Sequence, residues 1–258
     1  MMKADAVIVS AGKGLRFMGG KSIRVGTTVV PTPDHGKKQF TFLEGKPILA
    51  HTLDKFEACS LIRSVRLVVS QEDMDYCLKE IVEKYRFQKV SKIVPGGKWR
   101  QDSVKNGIDA LPKDADIVAI HDGVRPLVTQ AMIEDSVHSA VRYGAVVLAI
   151  PVKETIKMSN PDGTVLKTLD RESLWQVQTP QTFQINVIRK AHNRAVADGF
   201  FGTDDASLVE RLGVKVHILP GSHTNIKITT PEDLMLASLF LKMDPLSKEG
   251  SRGGAKGK

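Results

Sequence analysis

Short, β-branched apolar runs separated by amphipathic stretches set the pattern of this chain. Residues 6–10 (AVIVS), 65–70 (VRLVVS), 90–94 (VSKIV), 116–122 (DIVAIHD) and 145–152 (AVVLAIPV) each read as a strand. Residues 214–219 (VKVHIL) and 225–229 (NIKIT) read as two later strands. Between them lie stretches with helical spacing: PILAHTLDKFEAC, EDMDYCLKEIVEKY, RQDSVKNGIDAL and AMIEDSVHSAVRYG. Strands apolar on both faces, alternating with helices, predict an α/β fold with a mostly parallel sheet covered on both sides. Ligands of such sheets sit at the carboxyl ends of the strands. The residues just after each strand are therefore the ones to examine.

One segment breaks the alternation. Residues 153–175 carry a turn signal, Asn160-Pro161-Asp162-Gly163, with alternating residues on either side. They predict a β-hairpin that projects from the sheet. A lone hairpin is marginal in water, so it is expected to pack on a second subunit. After Lys242 the chain turns rich in Gly, Lys and Ser and is expected to be disordered.

Composition adds an anionic partner. The 258 residues carry a formal net charge of +8, with 41% hydrophobic and 26% charged residues. That is an ordinary globular balance, and its basic excess suits phosphorylated metabolites, nucleotides or nucleic acid. Cys59 and Cys77 lack metal-ligand spacing, which points away from a disulfide framework and toward a reducing cytoplasm. No apolar stretch is long enough to span a membrane.

The first loop, SAGKGLRFMGGKS at 10–22, looks like a phosphate cradle. A P-loop ending in Gly20-Lys21-Ser22 needs a glycine at position 15, which is Leu15. A dinucleotide fingerprint starting at Gly12 and Gly14 needs a third glycine where Phe17 stands. What remains is strand–S-A-G-x-G-x-R. Ser10, Ala11, Gly12 and Gly14 are small enough to let backbone N–H groups approach phosphates. Arg16 adds a forked cation. Taken alone, the loop reads equally as a tight turn with a surface arginine.

Other strand ends offer further candidates. Gly96-Gly97 allows a flat base to lie against the backbone, and Ser103 follows early in the next helix. Asp122 closes its strand and suits a ribose hydroxyl or a metal ion; Arg125 suits a phosphate. His121 has no second histidine at ligand spacing and reads as structural. Thr203, Asp204 and Asp205 suit a helix N-cap and first turn, with a paired-acid magnesium site as the weaker alternative. Lys227 precedes a helix that starts at Pro231. Each of these also has a plain structural reading.

Taken in order, the stations resemble one family. Gly12-x-Gly14-x-Arg16, Lys38-Gln39-Phe40, Gly96-Gly97-x-x-Arg100-x-x-Ser103-Val104, His121-Asp122-x-x-Arg125-Pro126, Pro151-Val152-x-x-Thr155-Ile156-Lys157, Gln178-Thr179-Pro180-Gln181-x-Phe183, Thr203-Asp204-Asp205 and Asn225-Ile226-Lys227 occur in the family's sequence. Over roughly 4–242 the chain resembles the 2-C-methyl-D-erythritol 4-phosphate cytidylyltransferases of the non-mevalonate isoprenoid pathway. The resemblance implies a Rossmann-like nucleotidyltransferase fold, a cytidylyltransferase domain over 1–243 and a homodimer joined by the hairpin arm. It implies that CTP and methylerythritol phosphate react, with Mg2+ on the triphosphate, to give the CDP-alcohol and pyrophosphate. By motif, Arg16, Lys38, Arg171 and Lys227 would be catalytic. Ser10, Ala11, Gly12, Gly14, Gly97, Ser103 and Asp122 would hold the nucleotide. Arg125, Thr155 and Thr203 would complete the polyol phosphate pocket, and Thr155 and Arg171, on the arm, would serve the neighbouring subunit. No protein metal cage is implied: Mg2+ would be held mainly by the CTP phosphates, with Asp122 as a further candidate ligand.

The chain departs from the family pattern in the long segment between Arg16 and Lys38, which suggests a lid and offers Lys21 as a rival to Lys38. Lys98 stands where an acid is frequent, and Glu154 replaces an aspartate. An alditol-5-phosphate cytidylyltransferase would share the loop, base pocket and fold, but Arg171 and Trp175 before the Gln178-Thr179-Pro180-Gln181 element favour methylerythritol phosphate. A basic nucleic-acid-binding module is the reading from another class. Aromatics at 5% and the absence of a recognised binding motif count against it, so neither nucleic acid nor membrane is expected as a partner.

Overall fold

The computed structural model describes residues 3–12, 22–25, 28–31 (main chain only) and 37–243. The strands are β1 (Ala4–Val9), β2 (Ser22–Val25), β3 (Thr28–Pro31), β4 (Phe42–Leu43), β5 (Lys46–Pro47), β6 (Ile62–Val69), β7 (Val90–Pro95), β8 (Ile117–Asp122), β9 (Ala145–Pro151), β10 (Lys157–Ser159), β11 (Val165–Thr168), β12 (Trp175–Gln184) and β13 (His217–Pro220). The helices are α1 (Ile48–Ala58), α2 (Met74–Tyr76, continuing with π-type bonding over Cys77–Glu83), α3 (Arg100–Asp109), α4 (Gln130–Tyr143), α5 (Ile185–Ala197), α6 (Asp205–Glu210) and α7 (Pro231–Met243).

Seven strands form one sheet in the order β13-β9-β12-β8-β1-β6-β7. All neighbours are parallel except β12, which runs antiparallel to both β8 and β9. The period-2 alternation of β1 explains the two-sided core. Ala6 and Ile8 join Leu49, Leu53 and Phe56 of α1 and Ile133 and Val137 of α4. Val7 joins Val104 and Ile108 of α3 and Ile188 of α5 on the other side. Each such Leu, Ile or Phe contributes about 1.5–3 kcal/mol by leaving water. Helix α3 sits directly on β1 at Gly107, where a Cβ would come within 2.4 Å of Val7 Cγ1.

The expected α/β sheet is present, with three differences. Residues 225–229 form no strand: only the Ile228 N–H bonds across, to the Val124 carbonyl beyond the end of β8. The Asn225 side chain instead donates to the Thr179 carbonyl at 3.0 Å, so no ladder forms. Residues 214–216 stay outside β13. Neither β12 nor α5 is predicted by the pattern above. Pro180 interrupts β12, and its register on β9 shifts between Val177 and Gln181, the kind of site where a central strand tolerates proline.

The hairpin expected at 153–175 is formed by β10 and β11, antiparallel with a register shift between Met158 and Ser159. Its apolar residues face water: Met158 is 46% exposed, Val165 60% and Leu166 59%. The segment 244–258 lies outside the described residues.

Candidate active site

The carboxyl ends of β1 and β8 stop side by side, with Val9 opposite Asp122. The loop after β1 therefore lies next to Asp122, and the loop after β7 closes the other side. Gly96 packs so tightly that a Cβ there would meet Ala11 Cβ at 2.5 Å. A Cβ at Gly97 would meet Asp102 Cβ at 2.3 Å. Only glycines let this loop approach so closely. Together these strand ends enclose a cavity of about 280 Å³.

Ser10, Ala11, Gly12, Lys38, Gly97, Ser103, Asp122 and Lys227 all line it. The structure thus brings together residues that stand far apart in sequence. The Ser10 hydroxyl is buried and has no hydrogen-bond partner among the described residues. A buried polar group of that kind at a cavity wall suits a ligand atom. Ser103 Oγ is already engaged: it accepts the Gly97 N–H at 3.0 Å and donates to the Trp99 carbonyl at 3.0 Å. Ser103 holds the glycine loop in shape, and a bound base finds only its remaining lone pair.

Asp122 is the electrostatic centre. Lys227 Nζ stands 3.0 Å from its Oδ2, Arg125 Nε 3.5 Å from Oδ2 and Arg100 Nε 3.6 Å from Oδ1. Burial alone would raise the Asp122 pKa, but Lys227, Arg100 and Arg125 outweigh it and hold the carboxyl well below the usual range. Arg100 reaches further, to Asp205 Oδ2 at 2.8 Å. Burial works against the Arg100 charge, yet Asp205 and Asp122 raise its pKa above the ordinary value. Asp205 in turn meets His192 Nε2 at 3.2 Å. Arg125 is steadied by the Asn225 carbonyl at 2.8 Å from its Nη1.

His121 is structural, as its lone position suggests. Its Nε2 faces the Arg125 carbonyl at 3.1 Å, so that nitrogen carries the proton. Nδ1 then accepts from the Thr179 hydroxyl at 3.0 Å, whose oxygen accepts the Asp122 N–H at 3.1 Å. Burial pushes the imidazole down to about 4. The neutral ring therefore braces both Asp122 and Arg125.

The remaining predicted residues lie elsewhere. Arg125 sits behind Asp122 and does not line the cavity. Thr203 is exposed in the turn before α6, whose N-cap is Asp204. Thr155 and Arg171 are exposed on the arm, with Arg171 Nη1 3.4 Å from the Lys153 carbonyl. Gly14, Arg16 and Lys21 lie outside the described residues, as does most of the segment suggested as a lid. Two contributors have no place in the nucleotide site by motif: Arg100, which stands in the Gly96-Gly97-x-x-Arg100 motif, and Asp205, read as part of a helix first turn. A basic residue on the first turn of a helix after a base-binding loop was the signal for Arg100; nothing local marks Asp205 as its partner.

Among the described residues no group of three or more His, Cys, Asp or Glu could hold a metal ion. Asp122 is faced by three cations. The donor set therefore does not form a protein cage for a divalent cation.

A mostly parallel α/β sheet with a cavity at its carboxyl edge, walled by small residues and ringed by cations, suits an anionic nucleotide, and comparison with known proteins places the chain among the nucleotidyltransferases. A family profile described as IspD, 2-C-methyl-D-erythritol 4-phosphate cytidylyltransferase, matches residues 5–243. The 2-C-methyl-D-erythritol 4-phosphate cytidylyltransferase of Caldanaerobacter subterraneus is 44% identical over 241 residues, covering 93% of this chain and 100% of that protein. Its counterpart in Geotalea uraniireducens is 48% identical over 226 residues, covering 84% and 96%. Among solved structures, the 4-diphosphocytidyl-2C-methyl-D-erythritol synthase of Anaerococcus prevotii matches with a TM-score of 0.77 at 30% identity, covering 93% of this chain and 99% of that one. The chain belongs to the 2-C-methyl-D-erythritol 4-phosphate cytidylyltransferase family and is a cytidylyltransferase.

Proposed function

We propose that this enzyme transfers the cytidylyl group of CTP to 2-C-methyl-D-erythritol 4-phosphate, and that its cations, not a general base, carry the chemistry. A phosphate oxygen of the polyol phosphate attacks the α-phosphorus of CTP. The bond from that phosphorus to the α–β bridging oxygen breaks, and pyrophosphate leaves with the electron pair. The nucleophile is already an anion, so no proton need be removed. The barrier is repulsion between two anions, which fixed positive groups and alignment reduce. The observation that supports this reading best is the cluster of Lys227, Arg100 and Arg125 held around Asp122.

In this reading Lys38 and Arg16 face the reacting α-phosphate and the departing pyrophosphate. Ser10, Ala11, Gly12 and Gly14 cradle phosphates, and Gly97 and Ser103 border the cytosine. Asp122 meets the nucleotide sugar side and orients Lys227 toward the polyol phosphate. Arg125 and Thr203 lie on the polyol side, and Thr155 and Arg171 arrive from the arm of a second copy. The apolar, water-facing strands β10 and β11 support that homodimer. Mg2+ would be carried by the triphosphate oxygens and would lower their negative charge. Two free, buried cysteines suit a reducing compartment such as the cytoplasm, and among the described residues no helix is long and apolar enough to cross a membrane. The catalytic unit would span 1–243, with a basic tail at 244–258.

Pyrophosphate release from CTP tests the reading. Turnover is expected with 2-C-methyl-D-erythritol 4-phosphate and not with ribitol 5-phosphate. Equal turnover with both, or none with either, overturns it.

A further inference from the structure

Gln39 sits beneath the phosphate loop and is bound into it more tightly than a surface turn requires. Four consecutive residues of one 3-10 turn face four ways. Lys37 Nζ is anchored to Ser70 Oγ at 3.0 Å and Asp73 Oδ2 at 2.8 Å. Lys38 lines the cavity. Phe40 is fully buried and packs on Tyr76 with ring centroids 4.8 Å apart. Gln39, only 1% exposed, turns its amide toward the loop after β1. The turn itself is closed by Phe40 N–H to the Lys37 carbonyl at 3.0 Å and Thr41 N–H to the Lys38 carbonyl at 3.1 Å. Gln39 is thus held from both sides.

Its Nε2 donates to the Ser10 carbonyl at 3.1 Å, with a second, longer contact to the Gly12 carbonyl at 3.5 Å. A trans peptide points its N–H opposite to its C=O. Fixing the Ser10 carbonyl on Gln39 therefore turns the Ala11 N–H away from Gln39. Among the described residues nothing takes that N–H, and Ala11 lines the cavity. Ser10 N–H still extends the sheet by bonding the Val68 carbonyl at 2.7 Å; past it Ala11 and Gly12 have no regular secondary structure, and the tether acts on the Ser10–Ala11 peptide.

We propose that Gln39 is a positioning residue for the triphosphate: by holding the Ser10 carbonyl it presents the Ala11 N–H to the phosphate oxygens of the nucleotide. The role rests on the cytidylyltransferase reading above and adds a determinant of nucleotide binding to it. It acts through the loop, not by touching substrate. Its signature is therefore selective: contacts to phosphate weaken, whereas contacts to the base do not. A residue that merely supported the fold would weaken both alike.

The test uses the full chain in steady-state turnover, with inorganic tripolyphosphate and cytidine as inhibitors competing with CTP. Gln39→Met keeps the length of the side chain and removes the donor. It should raise the KM for CTP and the inhibition constant of tripolyphosphate about 10-fold, the scale of one charge-assisted hydrogen bond. The inhibition constant of cytidine and the KM for the polyol phosphate should stay within about twofold of wild type. Gln39→His, whose Nε2–H falls near the lost donor, should recover most of the tripolyphosphate affinity. If Gln39→Met does not fold, Gln39→Asn, whose amide stops one methylene short of the Ser10 carbonyl, is read on the same ratio. Parallel loss of tripolyphosphate and cytidine, or no change in either, overturns the proposal. Wild-type protein that fails to turn over CTP instead overturns the cytidylyltransferase reading itself.

Discussion

The cavity and the arm are built in opposite ways. At the cavity, Asp122 and Asp205 are buried, and each is matched by cations or by histidine within 3.6 Å. Beside local contacts such as Asp122 with Arg125, long-range braces link distant parts of the chain: Arg100 joins α3 to β8 and α6, and Asn225 joins the last loop to β12 and Arg125. On the arm, the side-chain bonds are local, as between Asn160 and Thr164 or Lys157 and Thr168, and the apolar side chains face water. Among the described residues the cavity is braced within one chain, whereas the arm is the region proposed to dock on a second copy. The cavity holds its charges by contacts within the chain; the arm carries Thr155 and Arg171, for which docking on a second copy is proposed.

The sharpest break in that comparison is a cation at the cavity. Lys38→Ala should lower kcat by about 10³-fold or more, with little change in thermal midpoint, measured by pyrophosphate release and calorimetry. Next is the anion that organises the others. Asp122→Asn takes the shared carboxylate from Lys227 and Arg125 and leaves Arg100 with Asp205 alone. It should cost roughly 3–4 kcal/mol of stability in urea unfolding and reduce turnover as well.

The pH profile follows. His121 has a folded pKa of about 4, against about 6.5 in the unfolded chain. The unfolded state therefore binds more protons between these values, and stability falls as pH drops through the window from about 6.5 to 4, by about 3 kcal/mol in all. The depressed Asp122 pKa adds a further loss as pH falls below about 4. Urea midpoints across pH 7 to 4 check this, and His121→Asn should flatten the upper part of the slope. The smallest effect on stability belongs to the arm. Leu166→Asp, at a position 59% exposed, should change monomer unfolding by less than about 0.5 kcal/mol. In sedimentation it should nonetheless shift a dimer toward monomer.

The sequence revealed the parallel strands because their apolar runs and β-branched content survive without context. It concealed β12, where glutamines and Pro180 fill a central strand. Those glutamines are satisfied only by tertiary partners: Gln178 bonds Ser222, and Gln181 takes the N–H groups of Asp205 and Ala206. It suggested a strand at 225–229 because Ile226 and Ile228 alternate with polar residues, but Asn225 turns the chain onto Thr179. In the site, the small residues and strand-end Asp122 were legible from their position after strands. Arg100 bridging to Asp205 was not, since 105 residues separate the pair.

Mixing two inactive variants tests most directly whether the arm of one copy finishes the cavity of another. Lys227→Ala disables the cavity and Arg171→Ala disables the arm, and each protein alone should be nearly inactive. Refolded together at equal amounts, half the dimers are mixed and carry one intact site of two, so activity should return to about a quarter of wild type in a symmetric dimer. No recovery in verified mixed dimers would contradict the account.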